Sequence, residues 1–349
     1  MSCTVVVPCC GRSSRYPGVR PKYLLVEPTG KLLIQKAVEG LPADLPLLVV
    51  VLEEHVAQYG VDDVLFEAFQ DRNLTVVTLT RSASQSETVY GAIRKLNLVG
   101  PIFIKDSDSL FDLHDLNGPD GFIATASLRT SPVRDPTSKS FVRAIDGGII
   151  TRIEEKSIIS EDFSVGGYFF PDAGKFSTTF ERLIREGADQ VGELYVSSII
   201  NAQIQQEGAA FHSRPVLNYV DLGTLEDWNH YRSRIATYLI DIDGVLVKNG
   251  SQFWEPRWGE APVIAPNAAE IRRLHQQGNQ IILTTARPER YRAVTETQLK
   301  RIDLPYDGIV FGLLHARRVL VNDYSSTNPY PTATAINIPR DSNDLKDFL

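Results

Sequence analysis

The sequence predicts an α/β protein of two units, and three observations carry that expectation. Short β-branched runs alternate with helical patterns along the whole chain, the mark of helices layered on a largely parallel sheet. The 349 residues exceed the roughly 150 of an average domain, which favours two units. At Tyr238 the pattern starts afresh, with an apolar strand, Tyr238-Leu239-Ile240, running into Asp241-Ile242-Asp243-Gly244.

Taken in chain order, strands are expected at 3–8, 46–52, 74–79, 101–105 and 121–127. Helices are expected at 31–40, 62–71 and 86–96. The stretch Phe141 to Ile153 reads as a β-hairpin because Asp146-Gly147-Gly148 supplies the turn in its middle. Helices follow near 173–185, 193–206 and 224–235. In the second unit the order is a strand from Tyr238, a helix at 266–277, a strand at 280–284 and a helix at 288–301. Strands near 308–311 and 318–322 close it. The boundary falls near 233–237, giving units 1–235 and 236–349; no Gly/Ser-rich linker separates them. The second unit, at about 110 residues, is long enough for one small core.

Composition narrows the function classes. Hydrophobic residues make up 43% and charged residues 23%, as in ordinary globular proteins and far from disorder. The net charge of −7 disfavours a nucleic-acid partner, which needs a basic stripe. The nearest candidates are only the pairs Arg272–Arg273 and Arg317–Arg318. The longest apolar run, Leu47 to Leu52, is far short of the roughly 20 residues that span a bilayer, so no membrane partner is expected. Residues 1–8 lack the basic start and long apolar core of a signal peptide. The three cysteines, Cys3, Cys9 and Cys10, show no metal spacing. The expectation is a cytoplasmic protein with reduced thiols, free to form homo-oligomers that the sequence does not encode legibly.

The first chemical constellation lies at the N-terminus. Strand 3–8 runs into Pro8-Cys9-Cys10-Gly11-Arg12-Ser13-Ser14-Arg15, and Pro21-Lys22 follows. Small residues let backbone N–H groups approach a phosphate chain, and nearby cations offset its charge. A plain surface turn would use the same residues; the Gly-x-x-x-Arg order followed by Pro-Lys is what sharpens the reading.

The run VVVPCCGRSSR…PKYLL resembles the N-terminal signature of the sugar-phosphate nucleotidylyltransferases. Further segments recur in that family's order. Ile102 to Asp108 is a strand ending in two carboxylates, where the family holds Mg²⁺; the Asp-x-x-Phe pattern selects Asp108, with Asp106 second. Glu155-Lys156 resembles its sugar and phosphate contact, Gly166-Gly167 its glycine-rich sugar-pocket strand, and Gly192-Glu193 its acidic helix start. Val220-Asp221-Leu222-Gly223-Thr224 resembles the segment giving the second metal carboxylate, Asp221. Other uses exist for these residues: Asp221 could cap the helix near 224, and Glu155–Lys156 could be an exposed pair on a hairpin.

The resemblance implies a Rossmann-like nucleotidyltransferase domain with a mixed sheet. Its substrates would be a nucleoside triphosphate and a phosphorylated sugar or similar small phosphate. A sugar-phosphate oxygen would attack the α-phosphorus in line, releasing pyrophosphate. Pro8, Gly11, Arg12 and Ser13 would cradle the nucleotide, and Arg15 and Lys22 would hold the triphosphate. Mg²⁺ on Asp108 and Asp221 would neutralise developing charge. Glu155, Lys156, Gly167 and Glu193 would contact the acceptor. Ser84 stands where the family's base-reading loop has glycine, and Gln85 and Ser86 could read a base edge, whose identity is not legible. Cys9 and Cys10 take positions usually held by small residues and are expected to be fillers.

The second constellation is Tyr238 to Val245, an apolar strand ending in Asp-x-Asp-Gly. Two carboxylates this close are costly unless a cation sits between them. An EF-hand would need a longer acidic ladder and a closing Glu. The segment resembles the first motif of the haloacid-dehalogenase-like phosphatases. That resemblance implies a smaller Rossmann-like domain with a minimal cap. Asp241 would be the nucleophile, and Asp243 would protonate the leaving oxygen and then activate water. Thr285, in the Thr-x-Arg of Thr285-Ala286-Arg287, matches the second motif. Asp323, after Val319-Leu320-Val321-Asn322, matches the last, and would join Asp241 and Asp243 around Mg²⁺. The family's lysine is missing at Gly312-Leu313-Leu314; Arg318 is expected to supply its charge. The segment Trp254 to Trp258 is expected to form a loop over this site.

Together these readings imply a bifunctional Mg²⁺-dependent enzyme of activated-sugar synthesis, of the kind used in capsule or lipopolysaccharide pathways. Two alternatives stay open: a single activity with the other unit a binding or regulatory module, or a cytidylyltransferase for a non-sugar phosphate such as phosphocholine or an alditol phosphate.

Overall fold

A computed structural model describes residues 2–11, 20–131, 133–190, 192–250, 258–323 and 333–349. The chain divides into two compact units, Met1–Trp228 and Asn229–Leu349.

The strands of the first unit are β1 (Thr4–Pro8), β2 (Leu47–Leu52), β3 (Leu74–Leu79), β4 (Ile102–Lys105), β5 (Ser109–Asp112) and β6 (Gly121–Ser127). They continue with β7 (Ser140–Ala144), β8 (Ile150–Glu155), β9 (Asp162–Phe170), β10 (Phe211–Pro215) and β11 (Leu217–Asp221). The helices are α1 (Leu33–Glu39), α2 (Glu53–Tyr59), α3 (Val61–Ala68), α4 (Gln85–Leu96), α5 (Ala173–Arg185) and α6 (Val196–Glu207). A further helix, α7 (Leu225–Arg232), carries the chain across the division.

The main sheet has the order β10-β6-β9-β4-β1-β2-β3, with β7 pairing β8 and β9 at the side. Strands β4, β1, β2 and β3 run parallel, whereas β9 lies antiparallel to both β4 and β6, so the sheet is mixed. Alternating side chains of a strand face opposite sides of a sheet, and here both sides are covered. Val6, Leu48 and Val50 pack with residues of α4, α5 and α6. Val5, Val7, Leu47 and Val49 pack with residues of α1 and α3. Val5, Val6 and Val7 are all buried, which explains why β1 reads as an unbroken apolar run.

The expected hairpin is present as β7 and β8, paired Phe141 to Glu154 and Val142 to Ile153. Gly147 and Gly148 take positive φ values of 82° and 76° in its turn, where a side chain would be strained. The helix expected at 62–71 ends at Ala68 and is preceded by a separate helix, α2, which abuts it at Gly60 in a left-handed conformation. A small second sheet pairs β11 with β5 antiparallel, setting Asp221 opposite Ser109.

The second unit contains β12 (Thr237–Asp241), α8 (Ala265–Gln276), β13 (Gln280–Thr284), α9 (Arg292–Arg301) and β14 (Gly308–Val310). The three strands are parallel in the order β12-β13-β14. Ile240, Ile242, Ala268, Ile271, Ile281, Leu283 and Leu299 form its core. The strand expected at 318–322 is corrected: these residues form no strand, and Val319, Leu320 and Val321 are 67%, 57% and 87% exposed. The Arg318 guanidinium donates to the carbonyls of Leu314 and Ala316, closing a tight loop just ahead of the apolar run. No helix among the described residues is long and apolar enough to cross a membrane.

Candidate active site

Parallel strands open a crevice at their carboxyl ends, and the first site is built there. Pro8 ends β1; Cys9, Cys10 and Gly11 follow it, while Arg12, Ser13 and Arg15 lie outside the described residues. Cys9 and Cys10 are buried, and burial pushes the Cys10 thiol up to about 12 and Cys9 in the same direction. Neither is a nucleophile at neutral pH.

Lys22 opens a 3₁₀ turn, Lys22–Leu24, and its ammonium pairs with the Asp108 carboxylate. The turn is anchored by Tyr23, buried and 3.0 Å from Nδ1 of buried His55. Asp106, Ser107 and Asp108 form the bend between β4 and β5. Leu222 N–H donates to the Asp108 carbonyl at 2.9 Å, and this contact with the β5–β11 pairing brings Asp221 beside Asp108. These two carboxylates come from positions 113 residues apart in the chain. The capping exchange at the start of α7 is between Thr224 and Asp227, so Asp221 is not spent on it.

Two features hold the acidic bend: Lys105, which the sequence reading missed, and the glycine-rich strand, which it assigned to a sugar pocket and not to this role. Lys105 is fully buried; its Nζ donates to the Asp106 carbonyl at 2.7 Å, the Ser109 carbonyl at 2.6 Å and Ser109 Oγ at 2.9 Å. Desolvation holds its pKa down, and desolvation followed by Asp108 holds that of Asp106 up. Its only signal in the sequence was a lysine closing an apolar strand. The second feature is β9: Asp106 N–H donates to the Gly166 carbonyl, and a Cβ on Gly166 would collide with the Asp106 carboxylate.

Gln85 and Ser86, expected to read a base, have protein partners. The Gln85 amide donates to Asp106, and Ser86 is fully buried with its hydroxyl on the Leu194 carbonyl. For Ser86 this corrects the expectation, because a buried, engaged hydroxyl presents nothing to a base edge. Gly167 is also accounted for by packing: its Cβ would lie 2.8 Å from Ala124 Cβ and from Phe103 Cζ. That side of the glycine is filled by protein, not open to a sugar.

Glu155 and Lys156 sit at the end of β8. Glu155 Oε1 accepts from Ser197 Oγ at 2.5 Å, and Lys156 Nζ lies 3.1 Å from the Tyr195 hydroxyl. Glu193 is exposed in the same approach to α6. Lys139, which the sequence reading also missed, contacts Asp221 Oδ2 at 2.6 Å.

In the second unit Asp241 ends β12 opposite Thr284 of β13. Burial, then Asp243, pushes its carboxyl upward, while Arg318 and Arg340 draw it down. Asp243 is placed differently from expectation. Arg287, 1% exposed, donates to Asp243 Oδ1 through Nη2 at 2.8 Å and to Oδ2 through Nε at 3.0 Å. The hydroxyl of Thr285, itself fully buried, also donates to Oδ2, at 3.1 Å. Both carboxylate oxygens of Asp243 thus serve a buried ion pair, and Thr285 points to Asp243 and not to open space. Arg340 was missed; its Cγ lies 3.0 Å from where Gly244 would carry a Cβ.

No group of three or more His, Cys, Asp or Glu side chains that could hold a metal occurs among the described residues. Asp241, Asp243 and Asp323, the expected trio, are not among such groups: Asp323 follows the exposed 318–322 segment, and Asp243 is bound by Arg287. For Asp108 and Asp221 the donor set still fits Mg²⁺, which commonly takes one or two carboxylates together with substrate phosphates and water. Trp254 to Arg257 lie outside the described residues; Trp258 is buried edge-on against Tyr291.

No protein-family model and no curated protein matches the chain. Solved structures do. A nucleoside-diphosphate-sugar pyrophosphorylase from Vibrio cholerae RC9 superposes with a TM-score of 0.55 at 21% identity, covering 66% of this chain and 99% of that one. The inositol-1-phosphate CTP transferase from T. maritima gives 0.51 at 13% identity, covering 64% and 90%. At these identities the likeness is one of fold: this chain contains the mixed α/β fold of the nucleotidyltransferases.

Proposed function

We propose that the first unit transfers a nucleotidyl group from a nucleoside triphosphate to a phosphorylated sugar or a similar small phosphate. The observation that carries this reading is the convergence of Asp108 and Asp221 at the carboxyl end of the sheet, with Lys22 on Asp108. An oxygen of the acceptor phosphate forms a bond to the α-phosphorus. The bond from that phosphorus to the bridging oxygen breaks, and pyrophosphate leaves with the electron pair. Both reactants are anions, so the barrier is largely repulsion and positioning. Lys22, with Arg15, holds the triphosphate. Lys156 and Glu155 face the acceptor. Asp108 and Asp221 would hold Mg²⁺, which when bound would supply neutralisation of charge on the phosphoryl oxygens. The two solved structures reported above are named a nucleoside-diphosphate-sugar pyrophosphorylase and an inositol-1-phosphate CTP transferase, which supports a phosphorylated sugar or similar small phosphate as the acceptor. Calorimetric titration with ATP, CTP, GTP, UTP and dTTP in Mg²⁺ tests the reading. One triphosphate is expected to bind clearly better than the rest; heat from none of the five would overturn it.

A second reading, phosphate-ester hydrolysis by the second unit, is favoured by one observation. Asp241 stands at a strand end with Arg318 and Arg340 near enough to bias its protonation. There its carboxylate would bond to phosphorus as the ester P–O bond breaks and the alcohol oxygen leaves with the electron pair; water would then cleave the aspartyl–phosphate bond, returning the carboxylate and releasing inorganic phosphate. The cations would hold the phosphoryl oxygens in place of the missing lysine. Hydrolysis of p-nitrophenyl phosphate in Mg²⁺ is expected to fall to background in Asp241→Asn. Equal rates in variant and parent would remove the phosphatase and leave a single activity in the chain.

A further inference from the structure

We propose that Lys139 is a phosphate-binding cation of the transfer centre, held on Asp221 until a divalent cation displaces it. The proposal rests on the transferase reading and adds a residue to it. Lys139 Nζ lies 2.6 Å from Asp221 Oδ2, and the two side chains are only 16% and 21% exposed. The other oxygen, Oδ1, accepts from Gly223 N–H at 3.2 Å. The ammonium therefore sits on one of the two carboxylates that the transfer chemistry assigns to Mg²⁺.

The backbone places this lysine with a second one. Lys139 immediately precedes β7, and its carbonyl accepts the Lys156 N–H at 2.9 Å. The two residues are thus paired across the open end of the β7–β8 hairpin. Lys156 has its own resting partner in the Tyr195 hydroxyl, with the ring centroid 5.4 Å from Nζ. Two lysines at paired backbone positions thus carry their ammonium groups on Asp221 and on the Tyr195 hydroxyl.

Lysine suits such a task. Its charge is compact, its four-carbon stem is flexible, and it does not lock a carboxylate bidentately as arginine does. A monovalent ammonium neutralises Asp221 while the site is empty. When a divalent cation takes that carboxylate, the ammonium is released beside an incoming phosphate, which is the stronger remaining anion. Lys139 then contributes twice: it keeps an acidic pair from repelling in the empty site, and it offsets phosphate charge in the filled one.

Competition between Lys139 and the metal can be read without turnover. Mn²⁺ alone, followed by the paramagnetic resonance of the free ion, is expected to bind Lys139→Met and Lys139→Gln at least fivefold more tightly than the parent. Asp221→Asn is expected to bind it at least fivefold more weakly. In saturating Mn²⁺, glucose 1-phosphate and inorganic phosphate, titrated separately, are expected to bind both Lys139 variants at least fivefold more weakly, with Lys139→Arg within threefold of the parent. Mn²⁺ affinity in the Met and Gln variants no higher than in the parent would overturn the proposal, as would unchanged phosphate binding. Failure of the transferase reading is separately visible, because it appears as absence of nucleotide binding in the parent and leaves the Mn²⁺ competition at Asp221 intact.

Discussion

Asp108→Asn and Asp221→Asn are each expected to lower nucleotidyl transfer by about a hundredfold to a thousandfold, the usual cost of removing one element of a preorganised charge clamp. The amide has the shape of the carboxylate but carries no charge. Both side chains are part-exposed, with Lys22 and Lys139 as their ion-pair partners. The amide is isosteric and still accepts a hydrogen bond from its lysine, so the variants are expected to melt close to the parent. The loss therefore belongs to the chemistry: two anions must approach, and the fixed negative charge that holds the neutralising cation is halved. Pyrophosphate release at saturating triphosphate measures the loss, and a thermal scan on the same samples checks the fold. Turnover within a factor of three of the parent for either variant would place the transfer centre elsewhere.

That the two carboxylates belong together was legible in the sequence only as an order of motifs. What joins them is the pairing of β11 with β5, and neither strand was expected: each is short, and their pairing partners lie more than a hundred residues apart. Local pattern carries no information of that kind. Among the strands that were legible, β1 and β2 carry continuous apolar runs that are buried. Burial on both faces selects such runs in the middle of a parallel sheet.

Polar side chains were harder to read, for a related reason. Ser86 lies in a polar stretch yet ends fully buried on the Leu194 carbonyl. Lys139 lies in a turn of Pro, Thr and Ser, where a lysine is ordinarily solvated, and is instead brought to Asp221 by the hairpin. In the second unit the apolar run Val319-Leu320-Val321 has the composition of a strand and no strand partner among the described residues, because composition sets propensity and pairing needs a register. Arg287 was visible only as part of a Thr-x-Arg pattern that pointed to Thr285.

Arg287→Met is expected to be the most destabilising single change in the second unit, costing about 3–5 kcal/mol, the range found when one partner of a buried ion pair is removed. The guanidinium is 1% exposed and uses its three nitrogens on three side chains. Nε and Nη2 bind Asp243, and Nη1 donates to Thr295 Oγ1 at 3.0 Å and to Gln298 Oε1 at 3.2 Å. It thereby ties the loop after β12 to α9, two elements distant in sequence. Methionine fills part of the volume but leaves the Asp243 carboxylate with Thr285 alone and removes donors from two buried acceptors. Domains of this size hold roughly 5–15 kcal/mol in total, so the transition of the second unit is expected to move down by about 10 °C or more in a calorimetric scan of the full chain. A double variant separates charge from packing. If the cost is the stranded carboxylate, Arg287→Met combined with Asp243→Leu should recover most of the lost stability, because apolar replacement of both partners is often neutral. If the cost is the hydrogen bonds to Thr295 and Gln298, the double variant should melt no higher than the single one. A single variant melting within 2 °C of the parent would show that the pair contributes nothing to the second unit, and that Asp243 is free to serve chemistry instead.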